Sequence, residues 1–163
     1  MHRAFRIAAL VLLAAGCAGA PATPSTAAAP EAGAAPRSEP AGGPSLYQRL
    51  GGKDAIDAVV ATFVVNIGRD QRIQLRFLFT DLDGLRAHLS AQICEAAGGP
   101  CKYTGRTMKA SHTGMRIKDA EFDAMAEDLV AALKAHGVGE REQKELLAVI
   151  GSMRPDIVEV ASP

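Results

Sequence analysis

The apolar residues between positions 53 and 68 recur with the period of an α-helix, and this pattern constrains the fold more than any other feature of the chain. Their spacing of i, i+3, i+4, i+7, i+8 and i+11 places them on one face of a helix. They are Ile56, Val59, Val60, Phe63, Val64 and Ile67. Because no stretch of useful length alternates apolar and polar residues, we expect essentially no sheet. The sequence therefore predicts an all-α domain.

Further helices are predicted from the same period and from the residues that begin and end them. They are expected over 46–50, 82–97, 118–136 and 140–160. Ser45 is a favourable N-cap for the first of these helices. Asp119 is expected near the start of the helix over 118–136, as a cap or a dipole partner, and Gly137 is expected to end it. Pro155 is expected to kink or restart the last helix.

The segment 70–79 is rich in large apolar residues. We expect it to form a short helix and a corner in which these side chains pack close together. They are Ile73, Leu75, Phe77, Leu78 and Phe79.

A short helical turn from Thr107 to His112, stopped at Gly114, carries the most distinctive candidate residue of the chain. An imidazole at the end of such a turn, with Met108 one turn earlier on the same side, is suited to bind a metal through one nitrogen while the other donates to backbone. The alternative is a surface histidine whose charged form interacts favourably with the helix dipole. The spacing alone leaves both interpretations open.

Three ordered motifs resemble those of the group I truncated haemoglobins. Positions 98–117 read Gly-Gly-Pro-Cys-Lys-Tyr-Thr-Gly-Arg-x-Met-x-x-x-His-x-Gly-Met-x-Ile, after Leu-Tyr-Gln-Arg-Leu-Gly-Gly at 46–52 and Arg-Ala-His-Leu at 86–89. The resemblance covers about residues 45–160. It implies a globin-like two-over-two helical sandwich that binds haem b (protohaem IX), with His112 as the proximal iron ligand. It also implies that the ring of Phe77 lies against the porphyrin.

The resemblance also locates the distal side of the haem. Many family members carry a tyrosine just after the position of Phe63 and a glutamine just after that of His88, where this chain has Val64 and Leu89. The usual pair of hydrogen-bond donors to bound oxygen is therefore missing, and Leu85 adds another apolar wall.

Two polar residues of the predicted helix over 82–97 remain as distal candidates. His88 and Gln92 are expected on the same side as the leucines, where burying them unpaired would cost about 1–3 kcal/mol each. Bound oxygen would depend on Gln92, His88 or water for stabilisation by a hydrogen bond. His88 is either a histidine at a helix edge that reaches water or a group facing the haem. In the second case it could be a sixth, internal ligand, as in some relatives, with a low-spin spectrum that becomes high-spin in His88→Ala.

The loop before the short turn carries Lys102, Tyr103 and Arg106. These residues resemble the family's loop near the haem edge, where they could pair with the propionates. The alternative is ordinary solvated charge and a packing tyrosine.

Cys94 and Cys101 flank the Gly-Gly-Pro break. In an exported protein they are candidates for a disulfide that closes a short loop and stabilises the fold by about 2–3 kcal/mol. Two unrelated thiols, or a redox switch beside His112, are the alternatives. The structural disulfide is favoured.

The N-terminus has the pattern of a secretory signal peptide. Arg3 and Arg6 precede an almost wholly apolar run over 7–16, and Cys17 follows at once. Residues 13–17 resemble a lipoprotein lipobox, so that cleavage after residue 16 would leave a lipidated Cys17 as a membrane anchor. The alternative is an ordinary signal peptide cleaved within 15–20, which would leave the protein free in the periplasm. Ala18 after the cysteine favours the outer membrane, with the protein facing the periplasm.

Residues 17–44 consist mostly of Ala, Pro, Gly, Ser and Thr. This composition cannot bury enough apolar surface to offset its ordering entropy, so a flexible linker is predicted before a globin domain over 45–163. Of the 18 basic and 18 acidic residues of the chain, only three and two precede residue 45, so the domain is nearly neutral. A neutral domain without a basic cluster argues against binding to nucleic acid.

Three classes of function are consistent with the sequence. The first is a monomeric haem protein that reversibly binds a diatomic gas, oxygen or nitric oxide, at the cell envelope. The second is a haem enzyme, a nitric oxide dioxygenase or a peroxidase, that works with an unidentified reductant. The third is a haem-free helical interaction domain.

Overall fold

Helices account for nearly all regular structure between residues 43 and 160, the part of the chain that this computed structural model describes. They are α1 Leu46–Arg49, α2 Gly52–Arg69, a 3-10 helix Gln74–Phe77, α3 Leu82–Ala96, α4 Met108–His112, α5 Asp119–Ala135, α6 Glu140–Ser152 and α7 Arg154–Ile157. Over these residues the only β-type pairing is an isolated bridge between Lys118 and Val160. The predicted signal peptide, Cys17 and nearly all of the predicted linker lie outside the described residues.

The first helix begins with the predicted cap. The Oγ of Ser45 accepts a hydrogen bond from the N–H of Gln48 at 3.3 Å, and the Oε1 of Gln48 accepts one from the N–H of Ser45 at 2.9 Å. This reciprocal pair satisfies two N–H groups that the helix leaves free. Gly51, at φ 94°, then turns the chain in a conformation that favours glycine.

The core forms around α2. All six residues of its predicted apolar stripe are buried. On that helix the stripe faces two neighbours, because α2 packs against both α3 and α5. α5 in turn packs on α6, and Arg49 ties α1 to α6 through ion pairs with Glu142 and Glu145. None of the described helices is both long enough and apolar enough to cross a membrane.

The segment 70–79 departs from its prediction. Ile73 is buried and Phe77 packs against the core, but Leu75, Leu78 and Phe79 are 72%, 64% and 100% exposed. The reason is geometric. Leu75 lies in the 3-10 helix, and a short piece of such a helix presents only one narrow stripe to the core. Leu78 and Phe79 lie beyond its end, in the turn that leads to α3.

The ends of the two last long helices follow their predictions in part. α5 begins at Asp119, whose Oδ1 accepts a hydrogen bond from Nη1 of Arg154 at 2.8 Å, and Gly137 at φ 70° ends it. The predicted helix over 140–160 is divided at Met153, and Pro155 lies in the first turn of α7 as a restart requires. The helix does not reach residue 160, because α7 ends at Ile157 and the chain continues in extended form.

Candidate functional site

A cavity of about 340 Å³ lies between the helices, and most of the residues that line it are apolar. Pockets of this size and character are typical of small-molecule and cofactor sites. Seven of the residues predicted from the sequence line it. They are Phe63, Phe77, Leu85, Leu89, Gln92, Met108 and His112.

Other lining residues were not singled out by the sequence analysis. The apolar ones include Met115, Phe122, Met125, Leu129, Ile150 and Met153, and the charged ones are Arg76 and Glu121. The helical period of α5 and α6 indicated that several of these residues face inward, but a cavity and a packed core give the same pattern. Arg76 carried a signal that could have been used, because it interrupts an otherwise apolar run.

His112 holds a defined orientation at the end of α4. Its Nδ1 lies 2.7 Å from the carbonyl oxygen of Met108, one turn earlier. A carbonyl can only accept, so Nδ1 carries the hydrogen and donates it, and Nε2 keeps its lone pair. A ring nitrogen whose partner donates to backbone is the arrangement typical of a histidine that binds a metal.

No cluster of metal-binding side chains accompanies this histidine in the described part of the chain. Among the residues that the structure describes, no group of three or more His, Cys, Asp or Glu side chains could hold a metal ion. A metal bound at Nε2 would therefore have to bring its other ligands with it. A metalloporphyrin does so, and the apolar walls of the cavity suit its macrocycle.

The chain before α4 is held by local hydrogen bonds. The Oγ1 of Thr107 accepts from the N–H of Ala110 at 3.2 Å and caps the helix. The hydroxyl of Tyr103 donates to the carbonyl of Arg106 at 2.7 Å, and the N–H of Tyr103 donates to Oε2 of Glu95 at 3.1 Å. These bonds connect α4 to the last turn of α3.

A disulfide also joins α3 to the loop before α4. Cys94, fully buried near the end of α3, is bonded to Cys101 in the loop, with 5.7 Å between their Cα atoms. Gly99 lies against this disulfide. A Cβ at that position would lie 2.7 Å from the Sγ of Cys94 and 2.5 Å from the ring of Tyr47, so only glycine fits there.

The carboxylate of Glu159 holds the backbone that follows α4. Glu159 accepts hydrogen bonds from the N–H groups of Gly114, at 2.7 Å, and Arg116, at 2.5 Å. These two backbone donors lower the pKa of Glu159 below its ordinary value. Arg116 has a φ of 52°, a strained conformation for a residue other than glycine, and its bond to Glu159 helps to hold it.

An ion pair forms the charged part of the cavity wall. The guanidinium of Arg76 donates two hydrogen bonds to the carboxylate of Glu121, Nε to Oε1 at 2.9 Å and Nη2 to Oε2 at 2.8 Å. These bonds lower the pKa of Glu121 and raise that of Arg76. Nη1 of Arg76 also donates to the carbonyl oxygen of Met115 at 2.7 Å, so all three guanidinium nitrogens have protein partners.

Gln92 is the amide that α3 contributes to the cavity. Its Nε2 lies 3.3 Å from the sulfur of Met108 and 3.2 Å from that of Met153. Thioether sulfur is a weak acceptor, so these contacts restrain the amide only loosely.

Five of the predicted site residues do not line the cavity. Val64 is buried in the core, one position after Phe63 and therefore turned about 100° away from it. The hydroxyl of Tyr103 donates to a carbonyl of its own loop, and the guanidinium of Arg106 donates to the carbonyl of Ala110. Lys102, also expected near the haem edge, pairs with Glu95 at 3.4 Å.

His88 is the fifth of these residues. It is exposed, and its ring meets that of Tyr103 edge to face with 6.0 Å between the centroids. At about 100° per residue, His88 is turned about 60° from Leu85 and about 100° from Leu89 around the helix axis. The structure therefore places it on the helix edge, the first of the two alternatives that the sequence left open.

Comparison with known proteins identifies the family. Residues 45–159 match the bacterial-like globins. The group 1 truncated hemoglobin GlbN of Synechocystis sp. is 39% identical over 112 residues, which cover 66% of this chain and 90% of the relative.

Solved structures agree. The truncated hemoglobin of Tetrahymena pyriformis in its Fe(III) form superposes with a TM-score of 0.69 at 33% identity, over 71% of this chain and 98% of that chain. The 2/2 hemoglobin of Synechococcus sp. PCC 7002, in the cyanomet state with covalently attached heme, gives a TM-score of 0.67 at 31% identity, over 71% of this chain and 98% of that chain. The predicted two-over-two globin fold is confirmed.

The cavity fits the cofactor of this family, since it combines apolar walls with one imidazole whose Nδ1 is bonded to backbone. The chain belongs to the bacterial-like globins, among the group 1 truncated haemoglobins, and its cofactor is haem, whose iron is the gas-binding centre.

Proposed function

We propose that this protein binds a diatomic gas, oxygen or nitric oxide, reversibly at a haem held by His112, and that it does so at the cell envelope. The observation that carries the assignment of His112 is the 2.7 Å hydrogen bond from its Nδ1 to the carbonyl of Met108. This bond fixes the ring and leaves Nε2 available as a ligand. When haem is bound, its iron supplies the coordination position for the gas.

The walls contributed by α2 and α3 favour weak retention of the gas. Phe63, Leu85 and Leu89 are apolar and offer no hydrogen bond. Gln92 is the amide within reach of this space, and its N–H groups already contact two thioether sulfurs. A gas molecule that gains little hydrogen bonding leaves quickly, which supports reversible binding over oxidative turnover.

Ligand-binding spectroscopy tests this function. Protein reconstituted with haemin and then reduced should show a Soret band that shifts on addition of carbon monoxide or oxygen. Leu89→Gln should slow oxygen release about fivefold, because one added hydrogen bond contributes about 1 kcal/mol. Leu147→Gln, on α6 and outside the cavity lining, is the matched control and should leave the release rate unchanged. Absence of any shift would refute gas binding.

The proposed location rests on the lipobox-like residues 13–17. Cys17 is the third cysteine of the chain, and the other two are bonded to each other. Cells fed radioactive palmitate should label the wild-type protein in the membrane fraction and should not label Cys17→Ser. Cys94→Ala is the control that should keep the label. An unlabelled wild-type protein in the soluble periplasmic fraction would instead indicate simple secretion.

A further inference from the structure

Four large apolar side chains lie exposed around the corner that leads into α3. They are Leu75 (72% exposed), Leu78 (64%), Phe79 (100%) and Leu82 (39%), and together they form what we call the apolar tip. An exposed apolar patch indicates a surface that another molecule covers.

The apolar tip lies outside the lining of the haem cavity. None of its four residues lines the haem cavity, although their neighbours Phe77 and Thr80 do. The apolar tip therefore lies beside the cavity wall, on the outside of the domain.

The size of the apolar tip argues against a second copy of the chain as its partner. Phe79 offers about 150–250 Å² of surface. Even with the three leucines the patch falls short of the roughly 800 Å² that each partner buries in a stable interface. A lipid bilayer has no such minimum, because single aromatic and aliphatic side chains enter its interface individually.

The basic side chains near the tip are already paired. Arg76 is bonded to Glu121, and Arg86 lies 3.3 Å from the carboxylate of Asp83. The tip thus offers apolar contact without a free basic cluster, which fits a zwitterionic lipid surface as well as an anionic one.

The length of chain before the domain permits the contact. The N–H of Tyr47 donates to the carbonyl of Ala97, so the described chain starts near the end of α3, whereas Leu82 begins that helix. The 15 residues of α3 put the two ends about 22 Å apart. The chain from residue 17 to residue 43 can span at most about 90 Å, several times this distance.

We propose that the apolar tip inserts into the lipid surface to which Cys17 anchors the protein, and so docks the domain with this side of the haem cavity towards the bilayer. The anchor raises the effective concentration of lipid at the tip, so a small apolar contact is sufficient. The inference rests on the proposed function through the anchor alone and does not depend on which gas is bound.

Photolabelling tests the docking. The haem-loaded chain beginning at Cys17 is coupled through that thiol to a maleimide lipid in phosphatidylcholine vesicles that also contain a lipid with a diazirine in its acyl chain. Trypsin then releases residues 77–86, which carry Leu78, Phe79 and Leu82, and residues 54–69, which carry the exposed Val65. We expect at least fivefold more label in 77–86 than in 54–69.

The variants make the test specific. Leu78→Ser combined with Phe79→Ser should reduce the label in 77–86 at least fivefold while the Soret band is unchanged, and Val65→Ser should have no effect. Equal labelling of the two peptides, or labelling that survives the double substitution, would overturn the proposal. So would a dimer in solution that the double substitution dissociates, with no lipid label in 77–86, which would make a second copy the partner. The maleimide supplies the anchor in this experiment. A lack of lipid label in 77–86 is therefore distinct from a lack of palmitate labelling and from a lack of gas binding.

Discussion

The guanidinium of Arg76 and the carboxylate of Glu121 form a two-pronged ion pair, with nitrogen–oxygen distances of 2.9 and 2.8 Å, that connects the 3-10 helix to the first turn of α5. Oε2 of Glu121 also accepts a hydrogen bond from the N–H of Lys118 at 2.9 Å and so caps α5. One carboxylate therefore fixes two walls of the haem cavity relative to each other.

Glu121→Gln should destabilise the protein in a pH-dependent way. The pKa of Glu121 lies below its ordinary value of 4.5, chiefly because of the hydrogen bonds from Arg76, so ionised Glu121 stabilises the fold. This contribution is fully present above pH 4.5 and is lost as the pH falls through the lowered pKa. We expect a loss of about 1 kcal/mol at pH 7, measured by thermal unfolding, that shrinks in acid. Glu127→Gln, at a well-exposed ion pair, should have little effect on stability. An equal loss of stability at every pH for Glu121→Gln would contradict this expectation.

Asp128→Asn should have the opposite effect. Burial, and then the nearby charge of Asp70, raise the pKa of Asp128, and its Oδ2 is buried with no hydrogen-bond partner among the described residues. Ionised Asp128 therefore costs stability above its raised pKa, and the cost vanishes below the ordinary value of 3.8. Asp128→Asn should raise the melting temperature at pH 7, with a gain that fades in acid. Asp70→Asn should lower the melting temperature, because the hydrogen bonds between Asp70 and Arg72 lower the pKa of Asp70. A lower melting temperature for Asp128→Asn would refute this interpretation.

Removing the disulfide should loosen the connection between α3 and α4. A bond between residues seven apart closes a short loop, for which the chain-entropy relation gives about 2.5 kcal/mol. Cys94→Ala combined with Cys101→Ala should lose about this much stability in denaturant unfolding. Reductant should lower the stability of the wild type to that of the variant and leave the variant itself unchanged. Two alkylatable thiols at these positions in the native protein would show that the bond is not formed.

His88→Ala should leave the absorption spectrum of the ferric and ferrous protein unchanged. The ring is exposed and rests against Tyr103, outside the cavity lining. Leu89→Ala, one residue on and in that lining, is the comparison that should alter gas binding. A change from a low-spin to a high-spin spectrum in His88→Ala would show that the histidine enters the cavity and binds the iron.

Much of the fold could be predicted because helical period and capping are local signals. The stripe of α2, the Ser45 cap and the restart at Pro155 all follow from residues within a few positions of each other. The exposure of Leu75, Leu78 and Phe79 could not be predicted in this way. Their burial depends on how the 3-10 helix and the turn after it lie against the core, and composition does not specify that.

Site residues could be predicted where they belong to a sequence motif, and less well elsewhere. His112, Met108 and Gln92 were identified, and all three line the cavity. Arg76 and Glu121 were missed because they lie 45 positions apart and meet only in the folded chain. His88 was ambiguous because a residue 60° off the centre of a helix face can belong to either side.

The binding of haemin to His112 variants tests the central claim most directly. Wild-type protein titrated with haemin should give a sharp Soret band, whereas His112→Gly should lose the band or bind haemin far more weakly, and added imidazole should restore it. His136→Ala is the matched control, because Nε2 of His136 lies 2.8 Å from the hydroxyl of Thr62 on the exposed surface, and it should bind haemin like the wild type. An unchanged spectrum and affinity in His112→Gly would contradict the assignment of His112 as the iron ligand.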